Sequence, residues 1–172
     1  MTATGTYALT LDNSRNILAA SSSFRGLLGA STTAEAKVLT WWEITDDIGE
    51  YLQAAMPRAI VKYSGAFSFH RTSTTGWMFD VPISVLIEVT TPEQYVDDIQ
   101  SGAMWFANQV SNMVDELRGL TTGGAADTLN SPNTFISLQD IAIIDQGRGD
   151  AENSPDGKPY FVACLSLECR GI

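Results

Sequence analysis

Hydrophobic positions recur along residues 96–120 at alternating spacings of three and four: Val96, Ile99, Ala103, Phe106, Val110, Met113, Leu117 and Leu120. At 3.6 residues per turn this spacing lines them up on one stripe of a single long helix. Asp97, Asp98, Asn108, Asn112, Asp115 and Glu116 fall on the other side. Pro92 suits the first helical position, and Glu93 suits the positive end of the helix dipole. Gly119 or Gly123-Gly124 closes the helix. Immediately upstream the period changes to two. Phe79, Val81, Ile83, Val85, Ile87 and Val89 alternate with Met78, Asp80, Ser84 and Glu88, which predicts a strand over 77–90 with one buried face.

The same reading extends along the rest of the chain. Ile17, Ala20, Phe24 and Leu27 make a helical stripe over residues 13–28, started by Asp12 or Asn13, stopped by Gly29 and slightly weakened by Ser21, Ser22 and Ser23. A short helical turn follows at 33–36, an extended segment at 38–44, and a brief helix capped by Asp46 or Asp47 that runs to 54, ahead of Pro57. Residues 58–70 read as a strand with Gly65 as a bulge, and 71–76 as the turn of a hairpin with 77–90. Pro82 cannot donate to a ladder, so its strand lies at an edge or is bulged there. Residues 121–133 read as a polar connection. Strands are expected at 135–144, with a parity shift near Asp140, and at 160–169. The connection between them, 145–159, is rich in Gly, Pro, Asp and Asn, and polar loops of that length are usually functional or disordered.

These elements predict one α+β domain over residues 1–172. A mostly antiparallel sheet of four to five strands carries two main helices on one face, because the apolar face of the sheet and the helix stripes need each other for burial. A chain of 172 residues with 44% hydrophobic and 17% charged residues supports such a core. The net charge of −10 disfavours binding to nucleic-acid phosphates or anionic lipid. The most apolar run, 81–87, is too short to span a bilayer, which needs about 20 residues. Residues 1–11 lack the basic region and apolar stretch of a secretion signal, so cytoplasmic synthesis is expected. Cys164 and Cys169 lie on one strand at odd spacing. Their Cα atoms would be about 16 Å apart, against a disulfide limit of about 7 Å.

The candidate chemistry is sparse. His70, with Ser68 and Asp80 nearby in sequence, has the residue types of a hydrolase triad, but no nucleophile elbow accompanies them, and an exposed strand-end histidine is the plainer reading. Asp150, Glu152, Ser154 and Asp156 offer oxygens at alternate positions, as a calcium loop does. Pro155 replaces the turn glycine and Phe161 the closing glutamate, so a solvated loop is the better description. Arg148-Gly149-Asp150 matches an adhesion tripeptide that any turn-rich segment can contain. No motif implies a metal or a cofactor, and the chain reads as a protein without catalysis. The aromatic residues say more. Trp41 and Trp42 cannot both face inward on an extended segment, and Trp105, beside Met104, lies off the main helical stripe. Such residues either fill a second core contact or anchor a subunit interface. Trp41, Trp42, Trp77, Met104, Trp105, Arg148 and Asp150 are therefore the interface candidates.

The order of elements, together with the segments FRGLLGASTTAEA (24–36), PRAIV (57–61), GWMFDVPISVLIEV (76–89), MWFANQVSNMVDEL (104–117) and YFVACLSLECR (160–170), resembles the tail terminator, or tail completion, family of long-tailed bacteriophages. The resemblance implies a virion structural protein made in the host bacterial cytoplasm. It implies a homohexameric ring on the head-proximal end of the tail tube, with the tube protein and the head–tail connector as partners and genomic DNA only as passing cargo. It brings no catalytic residues. It makes the 145–159 loop a lumen-facing or partner-facing extension, and it makes another neck component the nearest alternative.

Overall fold

In the computed structural model, the described residues are 5–43, 56–74, 76–121 and 136–171. The expected helix at 46–54, the Gly123-Gly124 stop, the polar connection 121–133 beyond its first residue, and Phe135 lie outside them.

Four helices and six strands make up the described chain: α1 (Thr6–Ala20), α2 (Ser22–Leu27), α3 (Thr33–Val38), β1 (Thr40–Glu43), β2 (Arg58–Tyr63), β3 (Ser68–Arg71), β4 (Trp77–Thr90), α4 (Ile99–Thr121), β5 (Ile136–Gly149) and β6 (Tyr160–Gly171). The sheet runs β1-β2-β4-β6-β5, with β3 also paired to β4. The class is α+β, as the periodicities imply. The sheet has one more strand than the upper expectation and is mixed, because β1 pairs parallel to β2 while every other pair is antiparallel.

The N-terminal helical segment differs from the expectation in both start and continuity. α1 begins at Thr6 rather than at 13, and Asn13 is buried within it rather than capping it. Polar residues obscured its first half. Thr10 and Ser14 are fully buried because their hydroxyls bond back to the carbonyls of Thr6 and Leu11 at 2.8 and 2.7 Å. The serines break the helix instead of merely weakening it. Ser21 takes an extended conformation, and its Oγ accepts a hydrogen bond from the Phe24 amide at 3.0 Å, which caps α2. Gly29, at φ +65°, ends this segment as expected of a residue without a Cβ. Thr32 and Glu35 form a capping box on α3.

The strand expected at 58–70 is two strands. Tyr63 pairs with Ile83 and Ser68 with Asp80, so residues 64–67 bulge outward opposite Val81 and Pro82. β4 is central rather than at an edge, and the bulge that accommodates Pro82 lies in its neighbour. Ser64 donates to the Pro82 carbonyl at 3.1 Å, and a Cβ on Gly65 would come within 2.8 Å of the Pro82 ring. The parity shift near Asp140 is a register irregularity between Leu138 and Asp140, and a second one falls between Ile143 and Asp145.

β5 also continues to Gly149, so the loop expected at 145–159 is shorter. Its first five positions pair with β6 in register as far as Gly149 opposite Tyr160. Only 150–159 remains as a connection, turning through Ala151–Asn153 and Gly157 at φ +63°.

Odd-numbered residues of β4 and β6 (Val81, Ile83, Val85 and Ile87; Ala163, Leu165 and Leu167) share one core with Leu11, Leu18 and Phe24 and with Phe106, Val110, Met113 and Leu117 of α4. α4 starts later than expected. Pro92 precedes a single turn at Glu93–Tyr95, and the helix begins at Ile99, where the Asp98 carboxylate accepts from the amide and hydroxyl of Ser101 at 3.1 and 2.6 Å. Of its stripe, Phe106, Val110, Met113 and Leu117 are buried. Val96, Ile99 and Ala103 are exposed, and Gly102 is the residue turned inward there.

The N-terminal helices are tied to α4 by one carboxylate. Glu116 accepts from the hydroxyls of Ser21 and Ser22 at 2.8 Å each, and from the hydroxyl and amide of Ser23 at 2.6 and 3.1 Å. Partial burial works to raise its pKa, but the serine hydrogen bonds outweigh that and bring it from 4.5 down to about 2.

A candidate assembly surface

At the sheet edge formed by β5, the first half of α4 stands over the ends of β5 and β6. Gly102 sets this approach, since a Cβ there would come within 2.9 Å of Tyr95 Cβ and 3.0 Å of Phe161 Cζ. Below it Phe106 and Phe161 stack with ring centres 5.3 Å apart. In register Gln146 faces Ala163 and Arg148 faces Phe161, so both project on the buried side of the sheet. The result is an open groove of about 690 Å³ whose lining includes Ile99, Met104, Phe106, Gln146, Arg148 and Phe161. Ile99 is 52% exposed and Met104 63%. Exposed acids adjoin its lining along the chain, Asp97 and Asp98 just before Ile99 and Asp150 and Glu152 just after Arg148, whereas Asp145 faces Cys164 on the other side of the sheet. The backbone joins these segments, since Thr91 donates to the Pro159 carbonyl at 2.9 Å. Arg148 has no ion-pair partner among the described residues.

A second exposed apolar surface lies on the β3–β4 hairpin. Phe69, opposite Phe79, is 56% exposed, and Trp77, opposite Arg71, is 55% exposed. The pairing puts Phe69, Arg71 and Trp77 on one face. Arg71 donates to the Ser73 and Thr74 carbonyls at 3.1 and 2.7 Å, so its charge closes the turn and faces no carboxylate among the described residues.

The candidates named from sequence are therefore divided. Trp77, Met104 and Arg148 lie on these two surfaces, and Asp150, two residues past Arg148, is exposed but outside the lining of the groove. Trp41 sits on β1, on the side of the sheet away from the core. Trp42 and Trp105 pack against the core instead. The Arg15 guanidinium stacks 4.8 Å from the Trp42 ring, and Trp105 packs among Tyr95, Phe106 and Phe161. Ile99, Gln146 and Phe161 were not among the interface candidates. The available signal was Gly102 standing where the buried face of the helix passes.

His70 does meet Asp80, with Nε2 to Oδ2 at 3.3 Å. The other Asp80 oxygen accepts from Arg170 Nε at 2.7 Å, and that hydrogen bond holds the carboxyl below its usual range. Ser68 faces Asp80 across the ladder but has no hydrogen bond to His70, so the three do not form a proton relay. Among the described residues no three His, Cys, Asp or Glu side chains gather in a metal-binding group, and no helix is long and apolar enough to cross a membrane.

No protein-family model matches the chain, and no curated protein matches it.

Proposed function

We propose that the chain is a structural ring subunit of a bacteriophage virion, a tail terminator that caps the tail tube and joins it to the head connector. The observation that carries this reading is the pair of exposed apolar surfaces, one at each end of β4. A chain that acts alone seldom leaves two such patches in water, whereas a subunit with neighbours on both sides needs them. Two further features support it. The overall charge of −10 would let DNA pass a ring without adhering. The 150–159 turn, polar and exposed, suits contact with the tube or the connector. The proposed roles of Trp77, Met104, Arg148 and Asp150 are contacts, not chemistry.

Size-exclusion chromatography of the full chain with light scattering tests the ring. The expected particle is a multiple of the 18.6 kDa chain, six-fold for a hexamer, and a lone chain at tens of micromolar overturns the reading. Residues 151–158 can be replaced by a short Gly-Ser turn without cutting the β5–β6 ladder. This change should spare the ring and impair docking of the tube or connector. Unchanged virion yield would remove the role of the turn.

A further inference from the structure

We infer that the β3–β4 hairpin of one copy docks into the α4–β5 groove of the next, an inference that rests on the ring reading and names its interface. The two surfaces complement each other in chemistry. The hairpin presents two half-exposed aromatics and a cation, Arg71, on one face. The groove offers an apolar floor of Phe106 and Phe161 and exposed Ile99 and Met104, with the exposed acids Asp97, Asp98 and Asp150 within two residues of its lining along the chain. Arg148, free of any carboxylate in its own chain's described residues, presents its guanidinium to the incoming Trp77 indole, the ring type that binds cations best. A groove of about 690 Å³ accommodates such a pair of rings, within the roughly 300–1,000 Å³ usual for binding clefts.

The two surfaces cannot satisfy each other within one chain. Val89 pairs with Phe161 on the groove floor, and from Trp77 to Val89 along β4 is about 40 Å at ~3.3 Å per residue. The occupant of the groove is therefore a second copy. Because hairpin and groove are different surfaces, repeating the contact adds copies head to tail and gives a ring when the rotation closes.

The experiment uses two full-length variants, Trp77→Glu on the hairpin and Met104→Glu in the groove. Both side chains are more than half exposed, so both variants should fold, and circular dichroism melts within a few degrees of the parent check this. Light scattering should show the parent as a ring and each variant alone at the mass of one chain. An equimolar mixture restores one intact hairpin–groove contact per pair and should give a complex of two chains and nothing larger. A parent ring that neither substitution dissolves overturns the docking and leaves the ring standing. Variants that each fall apart but do not pair when mixed overturn it also, because the two surfaces then serve different partners. A parent dimer that both substitutions dissolve overturns the ring and keeps the docking, and a parent that is a lone chain overturns both.

Discussion

Replacing Glu116 with glutamine should loosen the join between α4 and the broken N-terminal helix, and the loss should depend on pH in a defined way. The carboxylate takes three serine hydroxyls and one amide, whereas the glutamine amide keeps one accepting oxygen and turns its NH2 toward donors. A pKa held at about 2 instead of 4.5 corresponds to at most about 3 kcal/mol of stabilisation at neutral pH. The group is partly exposed, so solvent screening reduces this to about 1–2 kcal/mol. For a chain of this size that is a melting point lower by about 3–6 °C. The folded pKa lies below the unfolded one, so the contribution is complete above pH 4.5 and is lost as pH falls toward about 2. Urea titrations of parent and variant between pH 7 and pH 2.5 check this, in dilute solution because the sequence pI is near 4.3. A gap that persists undiminished at pH 3, or the absence of any gap at pH 7, would mean that the ionised carboxylate does not hold these helices together.

Three other outcomes follow from the interior. Arg58 Nε and Glu88 Oε2 form a nearly buried ion pair at 2.6 Å, so Glu88→Ala should cost about 3–5 kcal/mol, while the double change Arg58→Met, Glu88→Leu should recover much of it in urea melts. Gly102→Ala should lower stability by about 1 kcal/mol, since overpacking against Tyr95 and Phe161 exceeds the gain in helix propensity. If Gly102→Ala instead melts with the parent, α4 is free to move away from the groove. Burial, with a smaller contribution from Glu168, pushes the Cys169 thiol up to about 12, whereas Cys164 is half-buried. A chromogenic disulfide reagent should therefore label at most one thiol in the native protein and both in guanidinium.

Much of the scaffold was legible because burial on one side leaves a periodic trace. β4 was readable to its boundaries from period-two alternation, and the second half of α4 from Phe106, Val110, Met113 and Leu117. The start of α1 was hidden because buried Thr10 and Ser14 satisfy themselves on the helix backbone, and a one-letter pattern shows them only as polar. The candidate surface was legible only as residue types. Trp77, Met104 and Arg148 could be named as unexplained, but nothing local indicated that Met104 and Arg148 share a groove while Trp77 stands at the far end of the same strand that reaches the groove floor.

The α+β class, the strand–helix order, the acidic balance and the halt at Gly29 are written in the linear pattern, because each depends on composition or on neighbours a few residues away. Folding in three dimensions was needed to make β1 parallel to β2, to bring Glu116 onto the start of a helix more than ninety residues earlier in the chain, to carry β5 on to Gly149, and to turn Trp42 and Trp105 inward. Those outcomes depend on contacts between distant segments. Their free energy comes from which surfaces meet, and a linear pattern does not carry that information.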